Sequence, residues 1–214
     1  GFTRKKAIFY LGQGLLFGIF IYLISYGIEI LINISHGQFK SLEFYVSTYS
    51  VEGNIGKQTA IIFFIICILG NIINVIMEEG IFRGLFQKLF EQKYNFLLSA
   101  ILSSLLFGFW HVIAPLRSYY DGTISFEEMF INIIILVVTS TLVGFKFSMM
   151  TKLTGSLYMS MGDHFVNNTI INILHIVSKD GSIDKLLVMR ISIAQTLSFL
   201  IILIYFKLSR NECS

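Results

Sequence analysis

The chain has 214 residues, 55% hydrophobic and only 14% charged, with a net charge of +3 and a mean hydropathy of +0.74, whereas soluble domains carry roughly 25% charged residues. This excludes an ordinary water-soluble domain, and the apolar runs lack the polar/apolar alternation of a membrane barrel, so helices must satisfy the backbone in lipid. An all-α, polytopic bundle of about six transmembrane helices is expected, as one domain over residues 1–214. The positive charge gathers at helix ends, as in cytoplasmic loops of membrane proteins generally, and implies no nucleic-acid partner.

The first apolar run, Ala7 to Ile34, follows Arg4, Lys5 and Lys6 as a signal peptide would. Its length, and the lack of a small-residue cleavage site, predict a retained membrane helix. The stretch from His36 to Lys57, with Gly37 and Gly53, reads as a loop. A second run, Thr59 to Phe90, is long enough to be tilted or broken; it carries Cys67, then Asn71 and Asn74, expected to hydrogen-bond to neighbouring helices. Glu78-Glu79-Gly80-Ile81-Phe82-Arg83 follows. Glu79 and Arg83 stand four apart, the acid N-terminal, in the favourable order for a helical ion pair. Glu78 points about 100° away and is left available.

A third run, Tyr94 to Ile113, places Phe107 and His111 on one face, and Pro115 is expected to close it. The fourth runs from Met129 to Met150. In the fifth, Ser156 to Val177, His164 and Asn168 project from one face within Asp163-His164-Phe165-Val166-Asn167-Asn168. Asp180-Gly181 turns the chain into the sixth, Leu186 to Leu208. His36 and His175 have no partner at a suggestive spacing, and Cys67 and Cys213 indicate neither a disulfide nor structural zinc. With the N-terminus inside, Arg4, Lys5, Lys6, Lys88, Lys93, Lys146, Lys152, Lys207 and Arg210 collect on the inner side, against Lys40, Lys57, Arg117, Lys179 and Lys185 outside. Cytoplasmic termini in a multi-pass plasma-membrane protein are the expectation.

Ionisable residues inside a bilayer require a partner, a water cavity or a function. Counting depth along each helix brings the three polar motifs together near mid-membrane, except that His111 needs extra tilt or a kink near Gly108. A carboxylate near a histidine, with a second histidine and an amide opposite, can hydrolyse an acyl bond with water as nucleophile. Here Glu78, helped by His111, would take a proton from water, while His164 and Asn168 donate to the oxyanion and Arg83 holds Glu79. A zinc ion on Glu78, His111 and His164 is the metal alternative, though HExxH is missing.

Taken together, Glu78-Glu79-x-x-x-Arg83, Phe107-x-x-x-His111 and His164-x-x-x-Asn168 resemble the EExxxR, FxxxH and HxxxN signatures of the CAAX prenyl protease and bacteriocin-processing (CPBP/Abi) family. The resemblance covers about residues 71–173. It implies a glutamate-dependent intramembrane endopeptidase without a cofactor, with Glu78 as the catalytic acid, His111 its helper, and His164 with Asn168 as the oxyanion pair. The family spans removal of the last three residues from prenylated proteins, bacteriocin immunity and the maturation of quorum-sensing peptides. Nothing in the sequence marks a prenyl pocket, and the compact chain looks like the bacterial members, so a small peptide precursor is the favoured substrate over a lipidated C-terminus. The partners expected are a peptide or protein substrate and the lipid bilayer. Other classes are a non-catalytic immunity or scaffold protein of the same fold, and a transporter, for which the absence of repeats gives little support.

Overall fold

The structure, a computed structural model, describes residues 6–48 and 55–211. Arg4, Lys5, Gly53 and Cys213, and the Arg210 side chain, lie outside the described residues. The chain order is α1 (Ala7–Ser35), β1 (Phe39–Phe44), α2 (Ile61–Glu79), a π-helical stretch (Gly80–Phe86), α3 (Gln87–Glu91), α4 (Phe96–Trp110), α5 (Ile113–Tyr120), α6 (Phe126–Thr154), α7 (Tyr158–Ile173), β2 (Leu174–Ser178) and α8 (Leu187–Asn211). Among the described residues, five helical spans are long and apolar enough to cross a membrane: Ala7–Ser35, Ile61–Glu91, Phe96–Tyr120, Phe126–Thr154 and Leu187–Ser209. The protein is an all-α integral membrane bundle turned inside out relative to a soluble domain. Ile8, Leu16, Leu23 and Leu31 form an exposed stripe on α1, whereas Glu29, Glu79, Arg83, Lys146, Asp163 and Arg190 are buried.

The fifth predicted segment departs from expectation. Its helix, α7, has only 16 residues, about 24 Å at 1.5 Å per residue and short of a full crossing. Rich in Ser, Asp, His and Asn, it is walled in by α1, α2 and α6 rather than by lipid. At Leu174 the backbone turns extended, φ −119° and ψ 118°, and β2 pairs antiparallel with β1, Leu42 opposite Ile176. The expected loop from His36 to Lys57 therefore contains a strand whose alternate residues are half-buried, ordered by a partner distant in sequence.

Two glycines at one crossing, Gly14 of α1 and Gly162 of α7, set the depth of α7. A Cβ on Gly14 would run into the Met159 carbonyl, and one on Gly162 would lie 2.5 Å from the Leu11 carbonyl and 2.7 Å from the Leu15 nitrogen. The backbones of α1 and α7 therefore touch, as small residues permit in membrane helix pairs. α6 begins at a capping box between Ser125 and Glu128 and ends at Gly155, φ 64°.

Pro115 does not close the third segment. It sits in the first turn of α5, and the break falls upstream, where α4 stops at Trp110 and His111 caps it. A proline at 115 cannot donate to the His111 carbonyl one turn back, which instead takes a long bond of 3.4 Å from the Ala114 nitrogen. Gly108, the expected kink, is used for packing, its Cβ position lying 2.6 Å from the Val137 carbonyl of α6.

Candidate active site

The long second span changes helix type at the acidic motif. α2 ends at Glu79 and residues Gly80–Phe86 wind as a π-helix, a form concentrated at functional sites because its extra residue re-aims side chains. The Phe82 carbonyl accepts from the Gln87 nitrogen and, across the helix boundary, from the Ser103 hydroxyl of α4 at 2.5 Å. Arg83 is fully buried. Its NH1 lies 3.3 Å from Glu79 Oε1, and its guanidinium sits 4.2 Å from the centroid of Phe107 and 5.4 Å from that of Phe147. The lack of a side chain at Gly144 makes this room: a Cβ there would lie 2.5 Å from Arg83 NH2.

His164 joins the two acids. Its Nδ1 is 3.0 Å from Glu79 Oε1 and its Nε2 is 3.4 Å from Glu78 Oε2, while the ring stacks on Phe147 at 4.8 Å. Glu78, Glu79 and His164 are all buried, and Glu79, shared between Arg83 and His164, is the neutralised acid of the two. Glu79 Oε2 and Arg83 Nε and NH2 have no hydrogen-bond partner among the described residues, so polar capacity remains inside the bundle.

The other predicted residues are placed differently. His111 makes no hydrogen bond or ion pair to Glu78 among the described residues; its Nδ1 lies 2.8 Å from the Phe107 carbonyl, and the Phe107 ring packs edge-on to both His111 and His164, with centroids 4.7 and 6.0 Å away respectively. A carbonyl only accepts, so Nδ1 carries a proton and the neutral ring presents Nε2 as an acceptor. Asn168 stands one turn beyond His164 on α7, its Oδ1 accepting from Asn167 Nδ2 at 3.1 Å. No group of three or more His, Cys, Asp or Glu placed to hold a metal ion occurs among the described residues. Beside the site, an apolar groove of about 480 Å³ runs between the π-helical stretch and the end of α4, lined by Met77, Ile81, Phe82, Phe86, Phe109 and Trp110 among others.

With this geometry in place, the comparison with known families gives one match: the family model "Type II CAAX prenyl endopeptidase Rce1-like" matches residues 59–170. The chain belongs to this family. No curated protein and no solved structure matches it. The family span holds all three motifs and the π-helical stretch, so the protein is a CAAX-type membrane protease in its general class.

Several buried polar groups lie outside the three motifs. Lys146, assigned above to the inner surface, is buried in α6 with its Nζ 2.7 Å from Asp163 Oδ2. A long, flexible cation near a helix end reads as a surface charge until a carboxylate on another helix is seen to meet it. His175, given no partner above, lies 2.6 Å from Asp184 Oδ2. Asp184 in turn meets Arg190 at 2.9 Å, and Arg190 meets Glu29 at 3.1 Å. Glu29 and Arg190 each interrupt an apolar run, the one signal that could have found them. Asn71 donates to Cys67 Sγ at 3.5 Å on its own helix rather than across to a neighbour.

Proposed function

We propose that the protein is an intramembrane endopeptidase in which Glu78 activates water. The observation that carries this reading is the pair of buried carboxylates meeting one imidazole, with Arg83 against Glu79 and not against Glu78. Glu78 takes a proton as the water oxygen bonds to the peptide carbonyl carbon, with His111 Nε2 assisting from the Phe107 side. The tetrahedral oxyanion faces His164 and Asn168, one turn apart on α7. As the C–N bond breaks, Glu78 returns its proton to the leaving amine. Glu79 and Arg83 support the site, and no cofactor takes part.

The groove beside Ile81, Phe82 and Trp110 suits a substrate whose peptide bond adjoins an apolar anchor: a prenylated C-terminus or the hydrophobic segment of a small precursor. Roles in bacteriocin immunity or quorum-sensing peptide maturation, a plasma-membrane location and cytoplasmic termini belong to the same reading.

The test uses purified full-length protein and Glu78→Gln in detergent, with farnesylated and unmodified fluorogenic peptides of one sequence, with and without chelator. Cleavage lost in Glu78→Gln and indifferent to chelator supports the mechanism, and preference for the farnesylated peptide assigns the groove. Chelator sensitivity, or no cleavage of either peptide, overturns it in favour of zinc or of a non-catalytic scaffold.

A further inference from the structure

Behind the catalytic face of α7 runs a chain of polar side chains with a single direction. Lys146 Nζ has three donors and no acceptor, and it faces three acceptors: Asp163 Oδ2 at 2.7 Å, Gln195 Oε1 at 3.2 Å and Ser198 Oγ at 3.1 Å. An amide offers oxygen on one side and N–H on the other, so fixing one end fixes both. With its oxygen held by Lys146, Gln195 turns Nε2 to Asn167 Oδ1, 2.5 Å away. The Tyr22 hydroxyl donates to the same oxygen at 2.5 Å. Asn167 then presents Nδ2 to Asn168 Oδ1 at 3.1 Å, and Asn168 is left with Nδ2 to give.

We infer that Lys146, Gln195 and Asn167 are positioning residues that set the polarity of the Asn168 amide, so that it presents N–H rather than oxygen to the oxyanion. This rests on the reading of Asn168 as an oxyanion donor. A free asparagine would offer either end, and oxygen facing the developing charge would repel what nitrogen stabilises. The direction originates in Lys146 because an ammonium cannot accept, and Asp163, adjacent to His164 in α7, ties that ammonium to the helix carrying the site. Lys146 and Asp163 are both buried, so the origin of the relay is shielded from competing water, while Gln195, Asn167 and Asn168 along it are half-buried.

Gln195→Glu is the diagnostic variant. It keeps an oxygen toward Lys146 but replaces the donating nitrogen with a second acceptor. Asn167 must turn over to meet it, with Tyr22 following because a hydroxyl both donates and accepts, and Asn168 is left offering oxygen. With the farnesylated fluorogenic peptide as probe, kcat is expected to fall about 10²-fold, the scale of one lost oxyanion donor, at unchanged KM. In an Asn168→Ala background, the same change is expected to alter kcat less than about twofold. The neutral Gln195→Met, which breaks the relay without reversing it, is expected to lose roughly five- to tenfold, about one hydrogen bond's worth, and guards against misfolding of the charged variant. Wild-type kcat in Gln195→Glu, or an equal fall with and without Asn168, overturns the relay. Glu78→Gln run alongside separates the two ideas: if it is inactive while Gln195→Glu is unimpaired, the relay alone fails, and if it is active, the site reading itself fails.

Discussion

Replacing Arg190 by Met tests whether the bundle's second ionic cluster stabilises the fold through charge balance. Arg190 is fully buried, its NH1 3.1 Å from Glu29, its NH2 2.9 Å from Asp184, and its guanidinium 4.1 Å from the Tyr26 ring centroid. Asp184 keeps His175 when Arg190 is lost; Glu29 keeps no ionic partner among the described residues. Stranding one member of a buried pair costs about 3–5 kcal/mol, and the ring contact adds about 1 kcal/mol. For a chain of this size, each kcal/mol shifts the transition by about 2–4 °C, so Arg190→Met should lower the thermal transition in detergent by on the order of 10 °C. Glu29→Gln/Arg190→Met removes the stranded charge and should recover at least half of that loss. A double variant no more stable than Arg190→Met would refute stabilisation by charge balance, since the two changes would then act as independent packing defects.

Acid should weaken the same cluster in a defined window. Burial alone would push the Asp184 carboxyl up, but the hydrogen bond from His175 and the Arg190 guanidinium hold it below the ordinary carboxylate range. A depressed folded value stabilises above about pH 4, and this contribution is lost as pH falls through the folded value. Asp184→Asn should be less stable at pH 7 yet show a flatter decline below pH 4 in acid-unfolding curves. Gly162→Leu should wedge α1 from α7, lowering the thermal transition and the cleavage rate together. Full activity in that variant would show that the crossing does not locate His164. Ser103→Ala, which removes the bond to the Phe82 carbonyl, should cost about 1 kcal/mol, readable as a small drop in the detergent melting temperature.

The site was more legible in the sequence than its setting. Glu78, Glu79, Arg83 and His164 stand out because charge in an apolar run is expensive, and the four-residue spacing of Glu79 and Arg83 predicts the ion pair seen at 3.3 Å. Spacing could not show the π-helical stretch after Glu79, which depends on how Ser103 and Gln87 satisfy the Phe82 carbonyl. His111 was tied to the site by its motif, but its break from α4 follows from Pro115 acting one turn backwards, and its nearest polar partner is a backbone oxygen. The pairing of β1 with β2 and the burial of Lys146 each need a partner more than a dozen residues away, information that local periodicity does not contain.

The contact between Gly14 and Gly162 has an architectural consequence. The family match begins at residue 59, yet the glycine crossing on which α7 is seated belongs to α1, with Gly14 more than forty positions upstream of that boundary. Motif residues transplanted without this N-terminal wall would keep their chemistry and lose their reference plane. In this chain, a helix that carries no signature residue sets the coordinate from which the reactive groups are measured.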